Sequence, residues 1–333
     1  MVSGAMRIAA FSPPRTNYRS FEPLDELVRR GHQLTLETEA EIKLSREVLA
    51  CDLVFVHRYQ GRNTRMQLAR LRESGLPVVW DHDDNVAVAQ ALRRGGLRAQ
   101  EAVADTRAMV RMVDVVTTTN ELLAERYREA GARAVHVVPN YLPRSFDRRG
   151  GTSRRGPVRI GWIAWADHQR DWNELGLREI ALRLLDAHPH VTIESVGPID
   201  LQLGHPRYVR TGPVQFGELP ARIAAFDVGI ALLQDVPFNR WRSDVKLKEY
   251  AALGVPWLAS PVGPYLGHGE DQGGLLVADD GWETTLTRIV EDGRLRRKLG
   301  KAGSRWARGH RLKDHVGEWE AAFEAARAAF ATA

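Results

Sequence analysis

"FDVGIALLQDVPFNRWRSDVKLKEYAALGVPWLASPVGPY", residues 226–265, is the stretch whose reading decides the fold. It opens on an apolar run of strand length and passes through a polar loop. From about Ser243 to Leu253 it takes helical spacing, stops at Gly254 and resumes as a second apolar run, "VPWLAS". Strand, helix, glycine and strand in that order make a βαβ unit, and a chain that repeats it builds a parallel sheet covered by helices.

The unit repeats on both sides. Upstream, "MRIAAFS", "HQLTLET", "DLVFVHR", "PVVWDHD", "DVVTTT" and "AVHVVPN" read as strands, separated by helical patterns such as "FEPLDELVRRG" and "NELLAERYREAG". The run "AVAQALRRGGLRAQEAVADTRAMVRMV" reads as helix broken at Gly95 and Gly96. Around the opening stretch lie "VRIGWIAW", "VTIESVG" and "GLLV", and Leu177, Ile180, Leu184 and Leu185 share one helix face. Between the two series, "RSFDRRGGTSRRGP" has no periodicity and reads as a linker. The expectation is an α/β protein of two Rossmann-like, doubly wound domains facing across a cleft. It divides into residues 1–145, a linker at 146–157, residues 158–310, and a terminal helix at 311–333 that packs back on the first domain through Trp319 and Phe323.

Bulk properties agree. A chain of 333 residues exceeds what one core organises, and 44% hydrophobic with 27% charged residues is the balance of an ordinary soluble protein. No apolar run is long enough to span a bilayer, and the start lacks the apolar core of a signal peptide, so the reading is cytoplasmic with at most peripheral membrane contact. The single cysteine, Cys51, excludes disulfides and a cysteine-based zinc site. A net charge of +5 suits anionic ligands, but no nucleic-acid motif accompanies it. The dinucleotide glycine fingerprint and the Walker loop are both missing from the strand-to-helix turns, which disfavours a dehydrogenase or a P-loop enzyme.

In open parallel sheets ligands bind beyond the carboxyl ends of the strands. In 226–265 that end leads to Ser243, a good N-cap whose helix offers free N–H groups to an anion, with Arg242 and Lys246 flanking it. Glu249 and Tyr250 follow Lys246 by three and four residues, so the three share a side, and a carboxylate there can accept two hydrogen bonds from a ribose diol. The same letters also describe a solvated face with an i,i+3 Lys–Glu pair.

A second constellation is "VVWDHDD", Val78 to Asp84. Asp-x-Asp after a buried strand suits a divalent cation held against a diphosphate, and equally suits a polar turn capping a strand end. Its address, the fourth strand of the half opposite the expected nucleotide, favours acceptor binding or proton handling by His82, Asp83 or Asp84 over a metal. The loop "SPPRTNYRS" adds Arg15, Asn17, Tyr18 and Arg19, and Arg58 follows the third strand. Asn140 either touches a ligand or shapes a turn.

The letters "FDVGIALL", "KLKEYAALGVPWLASPVGP", "GGLLV" and "DGRLRRKLGKAG" resemble the C-terminal domain of retaining GT-B glycosyltransferases of family 4. "DVVTTTNELLAERYREAGARAVHVVPNYLP" and "IGWIAWADHQRDW" extend the resemblance over nearly the whole chain. It implies a hexosyltransferase-type enzyme that takes a nucleotide diphosphate sugar as co-substrate, needs no cofactor and no metal, and retains anomeric configuration. It implies that Glu249 binds the donor ribose. The family's first donor-motif glutamate falls on Trp241, so Asn239 or Asp244 becomes the alternative contact. The usual basic pair after the first strand of the second domain is replaced by His168 and Arg170. Expected donor contacts are thus Glu249, Ser243, Asn239, His168, Arg170 and Tyr250, with Lys246, Arg242, His82 and Asp83 as catalytic candidates. Arg15, Asn17, Tyr18, Asp84 and Arg58 are the acceptor candidates, and the acceptor is a small molecule, a lipid-linked compound or a glycan rather than nucleic acid. A sugar-nucleotide 2-epimerase of the same fold and a non-catalytic nucleotide- or nucleic-acid-binding protein are the alternatives.

Overall fold

A computed structural model describes residues 4–14, 17–38, 42–84, 96–147 and 156–332. The chain forms two compact units: residues 1–141 with 241–243 and 312–333, and residues 142–240 with 244–311.

The first unit holds six parallel strands, β1 (Arg7–Phe11), β2 (Gln33–Glu37), β3 (Leu53–His57), β4 (Val78–Asp81), β5 (Val115–Thr118) and β6 (Val135–Val137), in the order β2-β1-β3-β4-β5-β6. The inner strands β1, β3, β4 and β5 are largely apolar on successive residues because both faces are covered, while the edge strands β2 and β6 are only partly buried. Ala9, Phe11, Val54, Val56, Val78 and Trp80 enter one cluster, while Ile8, Ala10, Leu53, Phe55 and Val79 enter the other. The second cluster is completed from the far end of the chain by the helix Leu312–Ala331. The ring of Phe55 lies 5.7 Å from those of both Trp319 and Phe323, and each such buried aromatic contributes roughly 1.5–3 kcal/mol.

The second unit repeats the plan with β7 (Val158–Ile163), β8 (Val191–Val196), β9 (Tyr208–Thr211), β10 (Val228–Ala231), β11 (Trp257–Ala259) and β12 (Gly274–Leu276), again all parallel, in the order β12-β11-β10-β7-β8-β9. The order reverses between β7 and β10, the place where open α/β sheets bind ligands. β9 is a strand the sequence reading lacks. It sits at the sheet edge with Val209 and Arg210 exposed, so it carries no apolar run.

Two glycines fix how a helix lies on this sheet. Gly161 of β7 pairs with Gly229 of β10, leaving a patch without side chains on one sheet face. A methyl carbon at Gly161 would fall 2.2 Å from the Phe226 ring, and one at Gly229 would fall 2.6 Å from the Tyr250 ring. The helix Val245–Ala252 therefore seats Tyr250 flat on the sheet, where its hydroxyl donates to the Ile230 carbonyl (3.0 Å) and accepts from the Ile163 N–H (3.3 Å).

Of the expected linker, residues 148–155 lie outside the described residues. Its opening is packed structure: Arg144–Asp147 form a short 3-10 turn, Phe146 is 1% exposed in the second core, and Asp147 pairs with Arg311. The chain passes from one unit to the other just before this turn, between Tyr141 and Leu142.

Candidate active site

At the carboxyl ends of the first sheet, three neighbouring strands finish on polar residues in register: His57 pairs with Asp81, and Asp81 with Thr117. Asp81 is fully buried and collects four hydrogen bonds. His57 Nδ1 lies 2.6 Å from Oδ2, Thr117 Oγ1 donates to Oδ1 at 2.7 Å, and Arg19 reaches both oxygens, at 2.5 and 3.2 Å. Burial alone would raise the carboxyl pKa; the Arg19 charge and His57 outweigh it and hold Asp81 below the usual carboxylate range. Arg19 comes from a π-helical turn, Asn17–Phe21, and also donates to the Val138 carbonyl and to Asn140 Oδ1 (3.2 Å), with its guanidinium 4.6 Å from the Trp319 ring. Asn17 and Tyr18 are half-buried on that turn, and Arg15 lies outside the described residues.

One residue on, His82 is 5% exposed and burial draws its pKa from 6.5 down to about 3, so the ring is neutral. Its Nδ1 accepts the Asp84 N–H at 3.2 Å, which puts the proton on Nε2. His82 therefore presents a donor, and the lone pair a general base would use is already engaged. Asp83 takes a two-pronged grip from Arg58 (2.7 and 2.8 Å), whose second nitrogen also reaches Asp84 at 3.3 Å. Burial pushes Asp83 up, but the Arg58 charge overrides it and keeps the group ionised. The grip has a conformational cost, since Arg58 holds φ at +61°, a region sparsely populated by residues with a side chain.

In the second unit, Glu249 is 3% exposed on the helix Val245–Ala252, with Lys246 Nζ 3.5 Å from its Oε2. Beside it stands an ion pair the sequence reading missed, Lys248 with Asp244 at 2.7 Å, and His268 Nε2 lies 3.5 Å from the other Asp244 oxygen. Burial raises Asp244, while His268 and Lys248 together bring it below its ordinary value. Asp244 therefore serves its own unit as a paired anion.

A second cluster follows β7. His168 Nδ1 lies 2.7 Å from Asp171 Oδ2, and Asp171 Oδ1 accepts from Asn239 Nδ2 (2.7 Å) and the Gln234 N–H (3.0 Å). Asp171, 4% exposed, thus orients His168 and ties it to the loop after β10. Arg170 is exposed on the same turn.

Three expectations are corrected. Ser243 does not cap the helix, because the helix starts at Val245, Asp244 occupies the cap position without a side-chain cap bond, and Ser243 Oγ receives Asn140 Nδ2 at 3.0 Å. Tyr250 does not share the ligand side of the helix, because its ring fills the hollow over Gly229 and its hydroxyl is used by backbone. Asn239 is 3% exposed, with its amide nitrogen shared between Asp171 and the Gln234 carbonyl, so it shapes the site. Trp241 packs against the cluster of the first unit that contains Leu123 and Tyr127, with the Arg126 guanidinium 5.5 Å from its ring, while Asn120 donates to the Trp241 and Arg242 carbonyls at 3.0 and 3.2 Å. The indole that falls on the family's first donor-motif glutamate is thus packed within the first unit.

The missed residues left a signal. Strands ending "LVFVH", "VVWD" and "VVTT" align three polar termini after wholly apolar runs, and a charge at the end of a buried strand needs a partner. Among the described residues no group of three or more His, Cys, Asp or Glu is arranged to hold a metal ion, and no helix is long and apolar enough to cross a membrane.

No family model matches the chain, and no curated protein matches it in sequence. Solved structures do match. Sucrose-phosphate synthase from Thermosynechococcus elongatus aligns with a TM-score of 0.70 at 14% identity, covering 98% of this chain and 100% of that one. HepE from Anabaena, solved in complex with UDP-glucose, aligns at 0.65 and 15% identity over 95% and 99% of the two chains. A UDP-forming α,α-trehalose-phosphate synthase from Burkholderia xenovorans aligns at 0.64 and 14% identity over 96% and 99%. Two all-parallel six-stranded sheets and these alignments over almost the full length of both partners give one conclusion: the chain has the GT-B glycosyltransferase fold.

Proposed function

We propose that the protein is a glycosyltransferase that moves a sugar, of the hexosyl kind, from a nucleotide diphosphate sugar to an acceptor hydroxyl. Retention of configuration, as in family 4, and independence of metal and cofactor belong to the same reading. The observation that carries it is the buried Glu249 carboxylate with Lys246 at 3.5 Å, on the helix that joins β10 to β11 next to the reversal of strand order. In this reading Glu249 accepts hydrogen bonds from the ribose hydroxyls, and Lys246 and His168 of the same unit face the diphosphate.

Transfer builds positive charge at the anomeric carbon and negative charge on the leaving oxygen. Cations aimed at that oxygen stabilise the transition state, and loss of one such donor costs about 3 kcal/mol. Protein cations supply what a metal would otherwise provide. The acceptor hydroxyl is assigned to the carboxyl end of the first sheet, where the neutral His82 offers an Nε2–H donor and Asp83 and Asp84 lie beside it under the Arg58 clamp. HepE, of like fold, was solved with UDP-glucose, which supports a nucleotide sugar as the donor class.

A thermal-shift screen of nucleoside diphosphates and their sugars tests this. One diphosphate series should raise the melting temperature, and Glu249→Gln, which keeps the volume and removes the charge, should weaken its binding about 10–100-fold, the range for hydrogen bonds to a charged group. Donor turnover that persists in excess chelator belongs to the same expectation. No stabilisation by any nucleotide, or equal binding by a folded Glu249→Gln variant, refutes the assignment.

A further inference from the structure

Of the nine tryptophans, six are 4% exposed or less and Trp241 and Trp306 are half-buried, but Trp165 is 59% exposed. An indole left in water forgoes roughly 2 kcal/mol of burial, so its place on the surface calls for a use.

The backbone beneath Trp165 is fixed. The Ala164 N–H donates to the Val196 carbonyl at 3.0 Å and the Trp165 carbonyl accepts the His168 N–H at 3.0 Å. Gly197, at φ +120°, lets the Ala164 carbonyl approach so closely that a methyl carbon there would lie 2.1 Å from its oxygen. Two residues before Trp165, the Ile163 N–H bonds the Tyr250 hydroxyl, and Glu249 precedes Tyr250; three residues after it comes His168, oriented by Asp171. The exposed indole thus follows β7, at the reversal of strand order, on the loop that leads from β7 into the His168 turn, and the last residue of β7 is bonded to the helix that carries Glu249.

We propose that Trp165 is a specificity-determining contact: a flat platform for the transferred sugar of the nucleotide donor. The inference rests on the function proposed above. Two rings adjoin a diphosphate in such a donor, the ribose and the sugar. With the ribose at Glu249 and the diphosphate at His168, the ring left for Trp165 is the sugar. The C–H groups on one face of a pyranose carry slight positive charge and meet the negative face of the indole, while the rim hydroxyls stay in water.

The test uses the full chain with UDP and UDP-glucose, GDP and GDP-mannose, and dTDP and dTDP-glucose as probes. In whichever pair binds, Trp165→Ala should weaken the sugar nucleotide about tenfold and change the free diphosphate less than twofold, with Trp165→Phe retaining most of the affinity. The sugar nucleotide, and not the diphosphate, should also shield wild-type fluorescence from acrylamide. If wild type binds a pair and Trp165→Ala binds both members normally, or loses both equally, the platform is overturned while the donor reading stands. If wild type binds none of the probes, the donor reading falls and the platform with it.

Discussion

Arg19 and Asp81, 62 residues apart in sequence, form an ion pair at 2.5 Å with side chains 2% and 0% exposed. The pair joins the loop after β1 to the end of β4, and through the Asn140 amide, which accepts from Arg19 at Oδ1 and donates to Ser243 from Nδ2, it extends to Ser243. A buried pair is a conditional asset, because removing one partner strands the other charge out of water. Arg19→Met should cost about 3–5 kcal/mol in urea unfolding and Asp81→Asn a similar amount, while the double variant should lose less than the sum. Additive losses would mean that the two groups act separately.

Acid should destabilise the fold well before the carboxylates titrate. His82 is held neutral with its pKa down from 6.5 to about 3. Below about pH 6.5 the unfolded chain takes up a proton that the folded protein refuses, so stability is complete above that pH and declines as pH falls toward 3. The slope is roughly 1.4 kcal/mol per pH unit. Asp81 and Asp83, both depressed, add their own losses once the pH drops through the ordinary carboxylate range near 3.8. Urea midpoints at pH 7.5 and 5.5 measure the first effect, and His82→Gln should flatten it.

Gly229→Ala places a methyl carbon 2.6 Å from the Tyr250 ring. The ring has no room to retreat, so the helix Val245–Ala252 must lift from the sheet. The expected cost is about 1–3 kcal/mol in stability, together with weaker nucleotide binding even though no ligand contact has been changed. Tyr250→Phe keeps the packing and removes only the two backbone bonds, so it should be the milder change in both denaturation and thermal-shift titration.

The Arg58 clamp predicts a split between substrates. Arg58→Ala removes the clamp on Asp83 and Asp84 and leaves the proposed donor residues unchanged, so donor affinity should hold within twofold while turnover with acceptor falls at least tenfold. Initial-rate kinetics with each substrate varied in turn gives the answer; an equal rise in both KM values would contradict the assignment of this end of the sheet to the acceptor.

Much of the architecture is legible because buried parallel strands are rich in apolar residues on successive positions, and eleven of the twelve strands among the described residues fall in stretches read as strands. β9 escaped because an edge strand with Val209 and Arg210 facing water has no pattern to read. The site was legible as an address more than as roles. "VVWDHDD" points to one strand end, but the residue with the densest hydrogen bonding there is Asp81, and its partners, Arg19 from the turn after β1 and His57 from the end of β3, are brought to it only by folding. Helical spacing grouped Lys246, Glu249 and Tyr250, yet a 100° step per residue separates neighbours enough for Tyr250 to face the sheet. Glycine in β7 and β10 was the clue to that, and it is read only when the register of the two strands is known.

The helix Leu312–Ala331 covers one face of the first sheet, and this has a consequence for synthesis. The strands of this sheet leave the ribosome first, but Trp319 and Phe323, which close over Phe55, follow it in sequence by 264 and 268 residues. At ordinary elongation rates that separation takes about 13–53 s. Throughout that time a nascent chain carries an unroofed apolar sheet face, so of the two units the one begun first is completed second.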